Sequence, residues 1–213
     1  MNNFVYITRE GATIVKKELI ELINLVQDEV REHFTFRYDF IGSASRNMIT
    51  CDFKTNVGYD FDVNIRVNDK DEDYSAYEIR NILREAFNKF AYIYDYDYPE
   101  DGQRVMTIKV KDTENSRIIH SCDFAVVHDT SDGRQQYIRY NKKDNSYYWE
   151  YQPKGFYLID EKIEIIKKSG KWNDLRDLYL DKKNSNTNKD KKSRSLFAES
   201  VNNIYNRVKG QVW

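Results

Sequence analysis

One alternating run constrains this chain more than any other stretch. In Tyr59-Asp60-Phe61-Asp62-Val63-Asn64-Ile65, apolar and polar residues alternate without a break. A period of two is a strand with one face in a core and the other outside it. Phe61, Val63 and Ile65 anchor the buried face. Asp60 and Asp62 share the opposite face, roughly 6.6 Å apart at a rise of about 3.3 Å per residue. Carboxylates that close repel each other unless something positive lies between them, and they can converge on one divalent cation.

Two further stretches belong with this strand. Upstream, the apolar approach Phe36 to Ile41 ends in Gly42-Ser43-Ala44-Ser45. Gly42 would let backbone come close to a phosphate, and backbone N–H groups with the hydroxyls of Ser43 and Ser45 would donate hydrogen bonds. Downstream, Arg117 to Val127 (RIIHSCDFAVV) is a second long β-like run with Asp123 as its only acid. A carboxylate among Ile, Phe, Ala and Val needs a metal, a base or a hydrogen-bond set. Each piece alone has an ordinary reading: a strand-to-helix turn, a solvated strand face, an acid paired with Arg.

Taken in order, Ile41, Gly42-Ser43, Tyr59-Asp60-Phe61-Asp62-Val63 and then Asp123 resemble the signature of the DNA polymerase β-like nucleotidyltransferase superfamily. The resemblance covers about residues 15 to 130. Asp60 follows Ser43 by seventeen positions, a longer gap than in the simplest members. That gap looks more like the oligoadenylate and cyclic-dinucleotide synthase branch. The resemblance implies that Asp60 and Asp62 hold two Mg²⁺ (or Mn²⁺) ions and that Asp123 holds the one nearer the acceptor hydroxyl. Asp123 would then help deprotonate that hydroxyl.

Composition narrows the rest. With 213 residues, 34 Lys and Arg stand against 35 Asp and Glu. That balance argues against a globally basic nucleic-acid binder, though not against a local basic groove. Cys51 and Cys122 make neither a disulfide framework nor a zinc pattern, and a reducing cytoplasmic setting is expected. No apolar run is long enough to span a membrane, and MNNFVYITRE does not read as a signal peptide.

The expected fold is α+β: a nucleotidyltransferase core with a mixed sheet flanked by helices, plus a small C-terminal helical part. Residues 1–155 form the core and 156–213 the helical region. Helical periodicity spans 9–33 and, from a cap at Ser75 or Asp73, runs to about Tyr94. Ser45 to Met48 reads as a short helix with a hydroxyl N-cap. Asp95 to Gly102 reads as turns, and strands are expected near 103–111, 117–128, 134–140 and 146–151. Helices near 158–168, 171–182 and 194–209 follow.

Other candidates are weaker. His120 lies near Asp123 but on the other strand face, and His33 and His128 are isolated. Lys154, Lys167, Lys168 or Lys171 could meet a triphosphate tail, or simply line a solvated helix face. Tyr157 or Trp172 could stack on a base, or pack in a core. Lys182 to Arg194 carries six basic residues and one acid, as a polyanion contact or as loose surface. The expected activity is Mg²⁺-dependent transfer of a nucleoside monophosphate from a nucleoside triphosphate to an acceptor hydroxyl. Cyclic or linear oligonucleotides lead as products; a transferase acting on tRNA, a protein or a small molecule is next, with RNA as one acceptor. A catalytically silent nucleotide- or RNA-binding module, or a partner protein of toxin–antitoxin type, remains the non-enzymatic alternative.

Overall fold

The computed structural model describes residues 2–69, 72–153 and 158–210. The expected boundary at 155/156, and with it Lys154 and Tyr157, lies outside the described residues. Two compact units divide the chain. One comprises Tyr6–Cys51 and Asn56–Gln152; the other gathers the C-terminal helices with Asp52–Thr55 and the segment before Tyr6.

The larger unit is built on seven strands: β1 (Thr35–Ile41), β2 (Tyr59–Asn68), β3 (Glu100–Asp101), β4 (Met106–Asp112), β5 (Arg117–Asp129), β6 (Gln135–Asn141) and β7 (Ser146–Tyr151). Their order is β1-β2-β5-β4-β3, with β6 paired to β5 and β7 to β6. β2 and β5 run parallel and every other pair in this sheet is antiparallel. Parallel neighbours need a crossover. The long connection between them carries α3 (Ala76–Ala91). The mixed sheet and its helices confirm the expected α+β class.

α1 (Arg9–Val30) and α3 cover one sheet face. Leu19, Leu22, Ile23 and Val26 of α1, and Ile79, Leu83 and Phe87 of α3, share one buried cluster with Phe61, Val63, Ile65, Cys122, Phe124 and Val126. Both helices start where a side chain meets orphan amides. Gly11 N–H donates to Thr8 Oγ1 at 3.1 Å. At Ser75, Glu78 N–H donates to the Ser75 hydroxyl and Ser75 N–H to the Glu78 carboxylate, a reciprocal capping box. α1 ends at Val30 rather than 33, because the chain turns there to enter β1: the amides of His33 and Phe34 both donate to Val30 O.

Two local expectations are corrected. The helical turn after β1, α2, covers Gly42–Ser45, directly at the strand end, and has no side-chain cap. The reason is Gly42, whose φ of +62° redirects the chain at once. The turn-rich stretch before Gly102 also contains β3, whose two residues pair with Met106 and Thr107.

The smaller unit holds α4 (Leu158–Lys168), α5 (Trp172–Ser185) and α6 (Ser193–Gly210). Ile163, Ile166, Leu175, Val201 and Ile204 form its core, with Trp172 packed against it. The first residues belong here and not with the strands, because hydrogen bonds tie them in. Asn3 N–H donates to the buried Asp52, and Phe4 exchanges two hydrogen bonds with the Asn184 side chain. Among the described residues, no helix is long and apolar enough to cross a membrane.

Candidate active site on the sheet

The three acids meet through strand register. Asp62 of β2 and Asp123 of β5 are direct partners in the parallel pair, and Asp60 is opposite Ser121. Partners in register project to the same face, and α1 and α3 pack on the other one. Asp60, Asp62 and Asp123 therefore share one face.

Each carboxylate has a defined environment. The Ser121 hydroxyl donates to Asp60 Oδ1. The Thr107 hydroxyl, on β4 opposite Asp123, donates to Asp123 Oδ1 at 2.6 Å. Burial, then the charges of Asp123 and Asp60, push the Asp62 carboxyl up to about 6, partly countered by Arg46. Asp123 is also raised, mainly by burial; the Thr107 hydrogen bond and the Lys109 charge pull it down while Asp60 pushes it up. Lys109 is in register with Ser121 and pairs with Glu100 at 2.5 Å.

Gly42 is tied to this cluster by space as well as by conformation. A Cβ at residue 42 would sit 2.5 Å from Asp62 Oδ2. Only glycine meets both demands without strain. Gly58, just before β2, has a parallel role: a Cβ there would lie 2.3 Å from Ile118 O, so glycine lets β2 come close to the β5 backbone. Gly42→Ala should reduce stability by about 1–3 kcal/mol, from the left-handed backbone and the displaced Asp62. Urea unfolding of wild type and variant measures this, and an unchanged midpoint would show that the turn can relax away from Asp62.

The Gly-Ser hydroxyls differ. Ser45 Oγ donates to Gly42 O at 3.0 Å, as does Arg46 Nη1 at 3.2 Å. Ser45 thus closes the turn, and its proton is not aimed outward in this arrangement. The Ser43 carbonyl accepts from the amides of Arg46 and Met48.

His120 is buried on the helix-covered side against Tyr96 Oη and held near 4 by burial, so it is neutral and away from the acids. Lys167 pairs with Glu164 and Lys171 with Asp174. In the basic stretch, Lys182 and Lys191 both reach Glu199, so two of its lysines share one carboxylate. The residues missed from sequence are Thr107, Ser121 and Lys109. Alternation in Met106-Thr107-Ile108-Lys109-Val110 carried the signal, since the two polar residues share a face.

Among the described residues, no three His, Cys, Asp or Glu side chains form a ready-made metal cage. The donor chemistry nonetheless fits a hard cation. Mg²⁺ takes one or two carboxylates together with substrate phosphates and water rather than an all-protein cage. The repulsion that lifts Asp62 is also what a cation would relieve.

The sequence matches no family model and no curated protein. The fold does have relatives: it is shared with bacterial cyclic-dinucleotide synthases of known structure. The chain is similar to the Vibrio cholerae cyclic AMP-GMP synthase DncV in complex with the linear intermediate 5′ pppA(3′,5′)pG. The TM-score is 0.63 at 13% identity, over 93% of this chain and 67% of that one. It is similar also to the Elizabethkingia meningoseptica cyclic dinucleotide synthase CdnE with GTP and Apcpp (TM-score 0.53, 13% identity, 91% of this chain, 70% of that one). A third is the Bradyrhizobium diazoefficiens CD-NTase CdnG with GTP (0.53, 12%, 74% and 43%). The chain spans only 43% of the length of that last protein.

Proposed function

We propose that this chain is a divalent-metal-dependent nucleotidyltransferase. An acceptor hydroxyl attacks the α-phosphate of a nucleoside triphosphate and pyrophosphate leaves. Cyclic or linear oligonucleotides are the favoured product class, in line with what the structural neighbours are. The observation that carries the reading is the Asp62–Asp123 register pair, with Asp60 on the same face and Gly42 against Asp62.

Asp60, Asp62 and Asp123 would hold the cation, which when bound supplies positive charge that stabilises the attacking and leaving oxygens. Thr107 fixes Asp123 through Oδ1, leaving Oδ2 as the atom that accepts the proton of the acceptor hydroxyl. Burial raises Asp123 and so strengthens it as a base. Ser121 holds Asp60 in the same way. The Gly42-Ser43 turn supplies backbone amides and the Ser43 hydroxyl to the phosphates.

The test is incubation with labelled ATP, GTP, CTP and UTP plus Mg²⁺ or Mn²⁺, with and without cellular RNA. Pyrophosphate release and a new nucleotide product are expected; no turnover under any combination rejects the enzyme. An RNA-dependent product would instead make RNA the acceptor. In the same assay series, Ser43→Ala should weaken triphosphate binding by about 10- to 150-fold, the range for losing one charge-assisted hydrogen bond. Unchanged affinity by calorimetry would mean that the Ser43 hydroxyl does not touch the phosphates.

A further inference from the structure

A second cleft lies away from the carboxylates, where α3 meets the β6–β7 hairpin. Its volume is about 560 Å³, and its walls include Tyr77 and Arg84 of α3, Asp101, Tyr140, Lys142 and Tyr147. None of Gly42, Asp60, Asp62 or Asp123 lines it.

Three rings make one wall. Tyr140 and Tyr147 stack with centroids 4.5 Å apart and planes 17° apart, and Tyr77 tilts against Tyr147 at 5.4 Å. The stacked pair is held from its hydroxyls: Tyr147 Oη donates to Asp101 Oδ2 at 2.6 Å and Tyr140 Oη to Asn145 Oδ1 at 2.9 Å. Tyr77 is half exposed. A ring wall whose orientation is already fixed loses little conformational freedom when a flat group stacks on it.

The charge beside the wall is positive. Among the described residues Asp101 is the only carboxylate in the lining, and its Oδ1 is bound by the buried Arg80. Arg84 Nη2 donates to Asn81 Oδ1 at 2.8 Å, a neutral partner that orients the guanidinium without cancelling its charge. The carboxylates near it, Asp101 Oδ2 at 3.6 Å and Glu85 at 3.7 Å, lie beyond hydrogen-bond distance, and among the described residues its Nε is shielded from solvent with no partner. Lys142 has no ion-pair partner among the described residues. A planar guanidinium and an ammonium next to an aromatic wall suit a single molecule that is flat at one end and anionic at the other.

From this we infer a second binding site, for a small aromatic anion: a planar ring bearing a phosphate or a carboxylate. The ring lies against Tyr77 and Tyr147, and the anionic group meets Arg84 and Lys142. The inference does not depend on the transfer reaction.

The test uses the whole chain with chelator present, so that no cation draws anions to the aspartates. Tyrosine ring resonances are followed by NMR during titration with phenyl phosphate, benzoate, inorganic phosphate or phenol. Saturable shifts at Tyr77, Tyr140 and Tyr147 are expected with phenyl phosphate or benzoate, at a Kd of about 1 mM or tighter. The tighter of the two identifies the anionic group. Phosphate alone and phenol alone should each bind about tenfold more weakly, because each satisfies half of the site. Tyr77→Leu and Lys142→Gln change exposed side chains and should each weaken binding of the aromatic anion by about tenfold. No saturable shift with either aromatic anion overturns the inference. So does wild-type affinity in both variants, or equal binding of phenol and phenyl phosphate.

Discussion

Asp60→Asn with Asp62→Asn should lower nucleotidyl transfer by about a thousandfold or more, equal to roughly 4 kcal/mol of transition-state stabilisation. The same double variant should be as stable as wild type, or more stable, in metal-free buffer. The reason is the repulsion visible at Asp62, lifted from 3.8 to about 6 by burial and by Asp123 and Asp60. A carboxyl that titrates higher in the folded state than in the unfolded chain binds an extra proton only when folded. Stability therefore falls as pH rises from about 4 to about 6, and levels off above that. Screening at the partly open face limits the change to about 2 kcal/mol. Removing both charges should flatten this dependence. Adding Mg²⁺ at pH 7 should raise the melting temperature of wild type and leave the double variant unmoved. These outcomes are read by thermal melts across pH 4–8 beside the transfer assay. A large drop in the metal-free melting temperature of the double variant would mark the two acids as structural partners instead.

The largest loss of stability is expected at Arg80. Its side chain is 2% exposed and that of its partner Asp101 is 11% exposed. Arg80 Nε and Nη2 both donate to Asp101 Oδ1, and Nη2 donates also to Gly102 O. The pair connects α3 to β3. Arg80→Met keeps much of the volume but leaves Asp101 without its main cation. Breaking one side of a buried pair typically removes about 3–5 kcal/mol. For a chain of this length that is a fall in melting temperature on the order of 10 °C. Combining Arg80→Met with Asp101→Asn removes the stranded charge and should recover at least about 1 kcal/mol of the summed single losses. Chemical unfolding of the two single variants and the double variant closes the cycle. A loss below about 1 kcal/mol in Arg80→Met would show that Tyr147 and Arg84 suffice to hold Asp101.

Much of this was legible in the chain because the signals are local. The alternation from Tyr59 to Ile65 sets which side chains share a face, since that follows from strand geometry alone. Steps of three and four placed the helices, and a cap at Ser75 or Asp73 marked the start of α3, which the structure puts at Ser75. Ends were less legible: α1 stops at Val30 because β1 must begin, and α2 begins at Gly42 because the backbone turns left-handed there.

What lies far apart in sequence needed the tertiary structure. Ser121 reaches Asp60 across 61 positions, and Asp123 is opposite Asp62 only because β2 and β5 pair in one register. A shift by one residue would send Asp123 to the helix-covered face. That register is chosen by how Phe61, Val63, Cys122 and Phe124 pack beneath α1 and α3, which no local pattern contains. The short-range chemistry was therefore written in the chain: two acids on one strand face, and a glycine turn before them. Which groups meet those acids, from Asp123 and Thr107 to the Cα of Gly42, was decided by long-range packing, because register is a property of the whole core.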